Sequence, residues 1–169
     1  MNIRALGPED ATAFQQLRLF ALSESPSAFG SSYEEERDRT TQQIEAFVAG
    51  SPERTIFGCV ANNQLVGVCG VGREQGLKER HIAFIRSMYV APTARGHGVG
   101  RELLLAAVDK AVRWPGVEQI TLAVTATNEP AVNLYRSCGF VEVGRMPRAL
   151  KVHAEYFDEV TMLYRFSAA

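Results

Sequence analysis

The sequence predicts a mixed α/β fold, and three observations carry that reading. Stretches with apolar residues at helical spacing alternate with short runs rich in β-branched residues. They follow one another in the order β-α-α-β-β-β-α-β-α-β-β, which mixes hairpins with strand–helix–strand units. The chain has 169 residues, 46% hydrophobic and 22% charged, which suits one core. No repeat or low-complexity linker interrupts it, so residues 1–169 are read as a single domain.

Each element has a local reason. Asn2–Leu6 predicts a short strand ended by Gly7-Pro8. Glu9–Glu24 places Ala13, Phe14, Leu17, Phe20 and Ala21 on one helix face. Ser25–Arg39 carries Pro, Gly and several Ser, the composition of a loop or a broken helix. Thr40-x-x-Gln43 matches a capping box, so a second helix follows with Ile44, Phe47 and Val48 inward. Arg54–Ala61 and Leu65–Val71 flank Asn62-Asn63-Gln64 and predict a hairpin. A polar loop, Arg73–Arg80, leads to the strand Ile82–Val90, ended by Pro92. A helix with Leu103, Leu104, Ala107, Val108, Ala111 and Val112 at helical period runs to about Arg113, where Trp114-Pro115-Gly116 stops it. Ile120–Ala126 is apolar enough for a buried strand. Asn128-Glu129-Pro130 opens a helix to about Cys138. Two strands close the chain, Phe140–Gly144 and Tyr156–Phe166, joined by a basic loop, Arg145–His153.

Composition excludes several classes. The 18 Lys+Arg and 19 Asp+Glu give a net charge of −1, against a general nucleic-acid binder. No apolar run is long enough to span a membrane, and the acidic start is unlike a secretory signal. Three cysteines in apolar surroundings fit a reducing cytoplasm. No His/Cys/Asp/Glu group has metal-ligand spacing, so no metal is expected. Cys138 has no local histidine partner and reads as a core thiol.

The strongest local signal is Arg95-Gly96-His97-Gly98-Val99-Gly100, between a strand and a helix. Backbone N–H groups at a helix N-terminus lack intrahelical partners, and glycines let an anion approach them closely. A tight turn without a ligand is the competing reading. A P-loop would need Gly-Lys-Ser/Thr, but Arg101-Glu102 follows Gly100. The dinucleotide fingerprint fails too, because Arg101 stands where its third glycine belongs.

Arg95-x-x-Gly98-x-Gly100 resembles the Arg/Gln-x-x-Gly-x-Gly/Ala signature of the GNAT superfamily of acyl-CoA-dependent N-acetyltransferases. Met88-Tyr89-Val90-x-Pro92 precedes it, and a second block follows at Asn128-x-x-Ala131-x-x-Leu134-Tyr135-x-x-x-Gly139-Phe140. The clear resemblance covers about Ile82–Phe140. It implies a central mixed, mostly antiparallel sheet with a splayed parallel strand pair and flanking helices. It also implies acetyl-CoA as acyl donor, with the pyrophosphate on Arg95, Gly96, His97, Gly98, Val99, Gly100 and Arg101. Met88, Tyr89 and Val90 would hold the pantetheine arm, helped by Asn128, with Arg136 on a nucleotide phosphate. The segment Arg86–Arg113 has five basic and two acidic residues, a local +3 suited to phosphates.

Carried over from the family, Tyr135 is the general acid toward the CoA thiolate. A phenol near pKa 10 and a thiol near 8.5 make full transfer uphill by roughly 2 kcal/mol. Hydrogen bonding to the thiolate with late protonation is therefore the expected role. An ordinary amphipathic-helix tyrosine is the alternative. The Val90 N–H is the expected oxyanion donor. The strand Ile82–Val90 lacks the carboxylate that many relatives use as base, leaving Glu79, His81 or a water chain. The acceptor pocket is expected from Ser25–Arg39 and Arg145–Tyr156, with Phe29, Tyr33, Glu34, Arg86 and Arg148 as contacts. The run Glu34-Glu35-Glu36 with Asp38 would attract a cationic amine, whereas Arg145, Arg148 and Lys151 favour a carboxylate-bearing one. The expected activity is transfer of acetyl to the primary amine of a small molecule or peptide, in a cytoplasmic protein that resembles a family with frequent homodimers. A catalytically silent CoA- or anion-binding regulatory domain of the same fold is the alternative.

Overall fold

The computed structural model describes residues 1–166; the last three residues of the expected 1–169 domain lie outside the described residues. In chain order the elements are β1 (Asn2–Ala5), α1 (Ala11–Glu24), α2 (Tyr33–Glu36), α3 (Thr41–Ala49), β2 (Arg54–Ala61) and β3 (Gln64–Arg73). They continue with β4 (Ile82–Val90), α4 (Val99–Val112), β5 (Gln119–Thr125), α5 (Glu129–Ser137), β6 (Val141–Val152) and β7 (Glu155–Arg165). The strands form one sheet ordered β1-β2-β3-β4-β5-β7-β6. Every neighbouring pair is antiparallel except β4–β5, which is parallel. None of the described helices is long and apolar enough to cross a membrane.

Local chemistry sets the element ends. The Thr40 hydroxyl accepts from the Gln43 N–H and the Gln43 side chain accepts from the Thr40 N–H, closing the predicted capping box. Asn62 and Asn63 both take positive φ, 50° and 59°, the pair of left-handed residues that turns a two-residue hairpin. The segment Ser25–Arg39, expected as a loop or a broken helix, contains the one-turn helix α2, capped by Ser32.

The sheet buries both faces. On one, Leu103, Leu104, Ala107 and Ala111 of α4 meet Val71, Ala83, Ile85, Ile120 and Leu122. On the other, Phe14, Leu17 and Ala21 of α1 and Ile44 and Val48 of α3 meet Ile56, Val68 and Tyr89. Strand alternation should put Tyr89 on the same face as Ala83 and Ile85, yet it lies on the opposite one. A β-bulge explains the reversal. The β3–β4 register shifts between Val68↔Tyr89 and Gly70↔Arg86, and Ser87 takes φ of 55°.

The bulge also coincides with a divergence. Parallel pairing of β4 with β5 covers only Ile82↔Gln119, Ala83↔Ile120 and Phe84↔Thr121. Beyond Phe84 the strands separate, while β5 stays paired with β7 through Thr125↔Glu159. The splay opens where β4 reverses its faces.

One element departs from expectation. Arg145–His153 was expected as a loop, but β6 extends to Val152, with Arg145↔Val160, Met146↔Glu159, Leu150↔Phe157 and Lys151↔Tyr156 in register with β7. Gly144 and Pro147 read as breakers. On an edge strand a proline removes no needed donor, and register shifts beside Gly144 and between Met146 and Leu150 absorb the irregularity.

Candidate active site

A cavity of about 470 Å³ fills the splay on the α4 side. Its walls include Met88, Tyr89 and Val90 from β4, the turn Arg95, Gly96, Gly98, Val99, Gly100 and Arg101, and Asn128 and Tyr135 from the start and end of α5. Two expected cofactor contacts stand apart from these walls. The His97 ring Nδ1 lies 2.9 Å from the Arg95 carbonyl, and Arg136 pairs with Glu142 at 3.5 Å.

The turn is shaped as an open cradle. Gly96 and Gly98 take φ of 79° and 80°, and a Cβ at either would meet nothing within 4 Å. Gly98 is the N-cap of α4, and the first bond of the helix runs from the Glu102 N–H to the Gly98 carbonyl. The N–H groups of Val99, Gly100 and Arg101 precede that bond and have no intrahelical acceptor. Gly100 is glycine for another reason: a Cβ there would stand 3.1 Å from Leu134 Cδ2 of α5. The cradle has the form of an anion site, since its backbone donors border space that side chains would fill.

The end of β4 presents its free edge to the same cavity. The Ala91 N–H donates to the Val66 carbonyl at 2.8 Å, and Gly67 lies opposite Val90. Antiparallel pairs alternate, so the Val90 N–H and C=O point away from β3. The carbonyl accepts from Arg95 Nε at 2.9 Å, consistent with that direction. The Val90 N–H faces the splay.

Tyr135 is 5% exposed, lines the cavity, and its hydroxyl makes no hydrogen bond to another described residue. Burial raises its pKa well above the ordinary tyrosine value. The phenol keeps its proton and has a hydrogen bond left to give. Asn128 holds the helix that carries it, accepting from the Ala131 N–H at 3.3 Å.

A second cavity, of about 420 Å³, lies on the opposite sheet face and shares Phe29, Ile85, Arg86, Ser87, Leu122 and Ala123 with the first. The two meet through the splay. Phe29 and Arg86 therefore stand at the junction, with the Arg86 guanidinium 4.3 Å above the Phe84 ring. Glu74 and Glu159 also line this cavity, and neither is ion-paired among the described residues.

Several expected acceptor and base residues lie elsewhere. Glu79 and His81 are outside both cavities; the His81 carbonyl instead receives the Glu118 N–H at the start of β5. Tyr33 and Glu34 sit on α2 with exposed side chains, and Arg148 lies over the Tyr156 ring at 3.7 Å on the β6–β7 ribbon. Three of the four acidic residues of the run are committed internally, and Glu34 stays exposed. Glu35 caps α2 through Ser32, and Asp38 pairs with Arg37. Glu36 is 2% exposed and receives two bonds from Arg18, at 3.0 and 2.8 Å.

Four residues escaped the sequence reading: Ser87, Glu74, Glu159 and Glu24. Glu159 had a usable signal, since Glu159 and Thr161 alternate with the buried Val160 and Met162. Ser87 and Glu24 had none, because a bulge and a contact 71 residues away depend on the folded sheet.

Comparison with known proteins finds acetyltransferases by sequence and by fold. Over 149 residues the chain is 28% identical to the aminoglycoside N(6')-acetyltransferase type 1 of Stenotrophomonas maltophilia, covering 86% of this chain and 89% of that one. It is 35% identical over 69 residues to the spermidine N(1)-acetyltransferase of Vibrio cholerae, covering 41% of this chain and 40% of that one. A Salmonella typhimurium structure solved with its cofactor acetyl-CoA superposes with a TM-score of 0.86 at 22% identity, over 100% of this chain and 95% of that chain. The model of the acetyltransferase (GNAT) family matches residues 17–140, and the chain belongs to that family.

Proposed function

We propose that this protein transfers an acetyl group from acetyl-CoA to the primary amine of a small molecule or peptide by direct attack. The observation that carries the reading is the meeting of two cavities at the β4/β5 splay. One has an anion cradle and a buried phenol, the other two unpaired carboxylates. Acetyl-CoA would supply an activated thioester, with its phosphates on the N–H groups of Val99, Gly100 and Arg101. The Val90 N–H stabilises negative charge on the thioester oxygen. The amine nitrogen forms the new bond to carbon as the carbon–sulfur bond breaks, and its proton passes to Glu159 or water. Glu159 replaces Glu79 and His81 in this role because it lines the acceptor cavity.

Tyr135 donates to the departing sulfur. Its raised pKa makes complete proton transfer less favourable than for a free phenol, so it stabilises the thiolate by a hydrogen bond while solvent completes protonation. Both named relatives act on amines, which supports a small-molecule amine acceptor. One catalytic unit over residues 1–169, in the reducing cytoplasm, completes the reading; Cys59, Cys69 and Cys138 are free thiols.

Thiol release from acetyl-CoA with a panel of amines tests this, comparing wild type with Tyr135→Phe. Tyr135→Phe should lower kcat by about 100-fold and leave CoA binding unchanged. CoA binding without turnover on any amine would instead identify a silent regulatory domain. Loss of CoA binding in the wild type would remove both readings.

A further inference from the structure

Arg95 leads the glycine turn, and its guanidinium is tied down. Nη1 and Nη2 donate to the Glu24 carboxylate at 3.3 and 3.0 Å, and Nε donates to the Val90 carbonyl at 2.9 Å. The Tyr89 hydroxyl donates to the same carboxylate at 3.0 Å, and the Ser25 hydroxyl also reaches it. The Arg95 guanidinium also lies over the Tyr89 ring, 5.6 Å from its centre. Glu24 ends α1, so one carboxylate joins that helix, the end of β4 and the turn.

We infer that Glu24 is a positioning residue for the acetyl-CoA site: it locks Arg95, and Arg95 sets the angle of the Gly96–Gly100 cradle and the Val90 peptide instead of binding phosphate through its guanidinium. The inference rests on the acetyl-CoA reading of that cavity. A forked guanidinium satisfied by a carboxylate and a carbonyl is a rigid brace, because both bonds must break for the turn to move. The brace holds two things in register. These are the backbone donors for the phosphates and the Val90 N–H some distance along the same ligand. The residues following Glu24 strengthen the case. Ser25 and Phe29 line the cofactor cavity, and Phe29 packs against Tyr89 with ring centres 6.1 Å apart. The acceptor-side loop is thus anchored at the same joint.

The test is calorimetric titration with CoA on wild type, Glu24→Gln, Arg95→Lys and the double variant, with melting curves beside each. Glu24→Gln keeps the shape of the side chain and removes its charge, so it should weaken CoA about 10-fold, the worth of one charge-assisted bond. Arg95→Lys keeps the charge and loses the fork, and it should weaken CoA similarly. The double variant should bind no worse than the weaker single one, since both act through one contact. Additive losses would mean that Arg95 binds phosphate itself, which overturns the inference. So would unchanged or tighter CoA binding in Glu24→Gln, even with a lowered melting temperature. A wild type that ignores CoA overturns the acetyl-CoA reading and the inference together.

Discussion

The Arg95–Gly100 turn and the Glu34–Glu36 run are both dense local signals, but the fold treats them oppositely. The turn leaves its backbone donors facing open space, with two glycines at φ near 80° where side chains are missing. The run largely closes on itself: Glu35 caps α2 and Glu36 is buried against Arg18, while Glu34 stays exposed. A backbone site keeps its groups free because its geometry is fixed by φ and by the helix that follows. A run of charged side chains has no such constraint, and whichever one folds inward must find a partner.

The comparison is broken most directly at Gly98. A β-branched residue there would fill the open cradle and sit in a strained left-handed conformation. Gly98→Val should abolish measurable CoA binding while melting and circular dichroism show a folded protein. Normal CoA binding by this variant would place the site elsewhere.

The opposite region responds in stability instead. Arg18→Ala leaves the Glu36 carboxylate buried with only Arg39 beside it, at 3.3 Å, and should cost about 3 kcal/mol in urea unfolding. CoA affinity should not change. Burial pushes the Glu36 carboxyl up, but hydrogen bonding and charge from Arg18, with Arg39's charge, outweigh it and hold it below the ordinary range. Because the folded value is depressed, the pair's contribution is complete above the unfolded pKa. It is lost as pH falls through the folded one, below the ordinary glutamate range. Acid unfolding curves should therefore converge for wild type and Arg18→Ala at low pH and differ most near neutrality.

The smallest effect sharpens the comparison at the acceptor cavity. Glu159→Gln should lower kcat/KM for amines by about 10-fold, with water left to take the proton. CoA affinity measured by titration should stay constant. A matching loss in CoA affinity would show that the two cavities do not divide the substrates as proposed.

Legibility in the sequence followed the same divide. The strand–turn–helix from Ile82 to Val112 and the helix from Asn128 were readable because capping, glycine spacing and apolar period act within a few residues. Composition left Ser25–Arg39 open between a loop and a broken helix, and the fold places the one-turn helix Tyr33–Glu36 in it. The extension of β6 past Pro147 was missed because its pairing partner, β7, decides it. Among candidate site residues, Tyr135 comes from the family resemblance and the turn glycines from their place between strand and helix, while Glu79 and His81 stand in for a carboxylate that β4 lacks. The carboxylates that line the second cavity, Glu74 and Glu159, come from the residue after β3 and from β7, on either side of the β4–β5 pair.

By itself the sequence determined the mixed α/β order, the glycine turn that opens α4 and the helix after β5 that carries Tyr135, since each depends on local backbone geometry. Tertiary structure alone decided the bulge at Ser87, the depth of the splay, the Glu24–Arg95 brace and which carboxylates stay unpaired. Those outcomes depend on which distant segments the sheet brings within hydrogen-bonding reach, and no spacing along the chain encodes that distance.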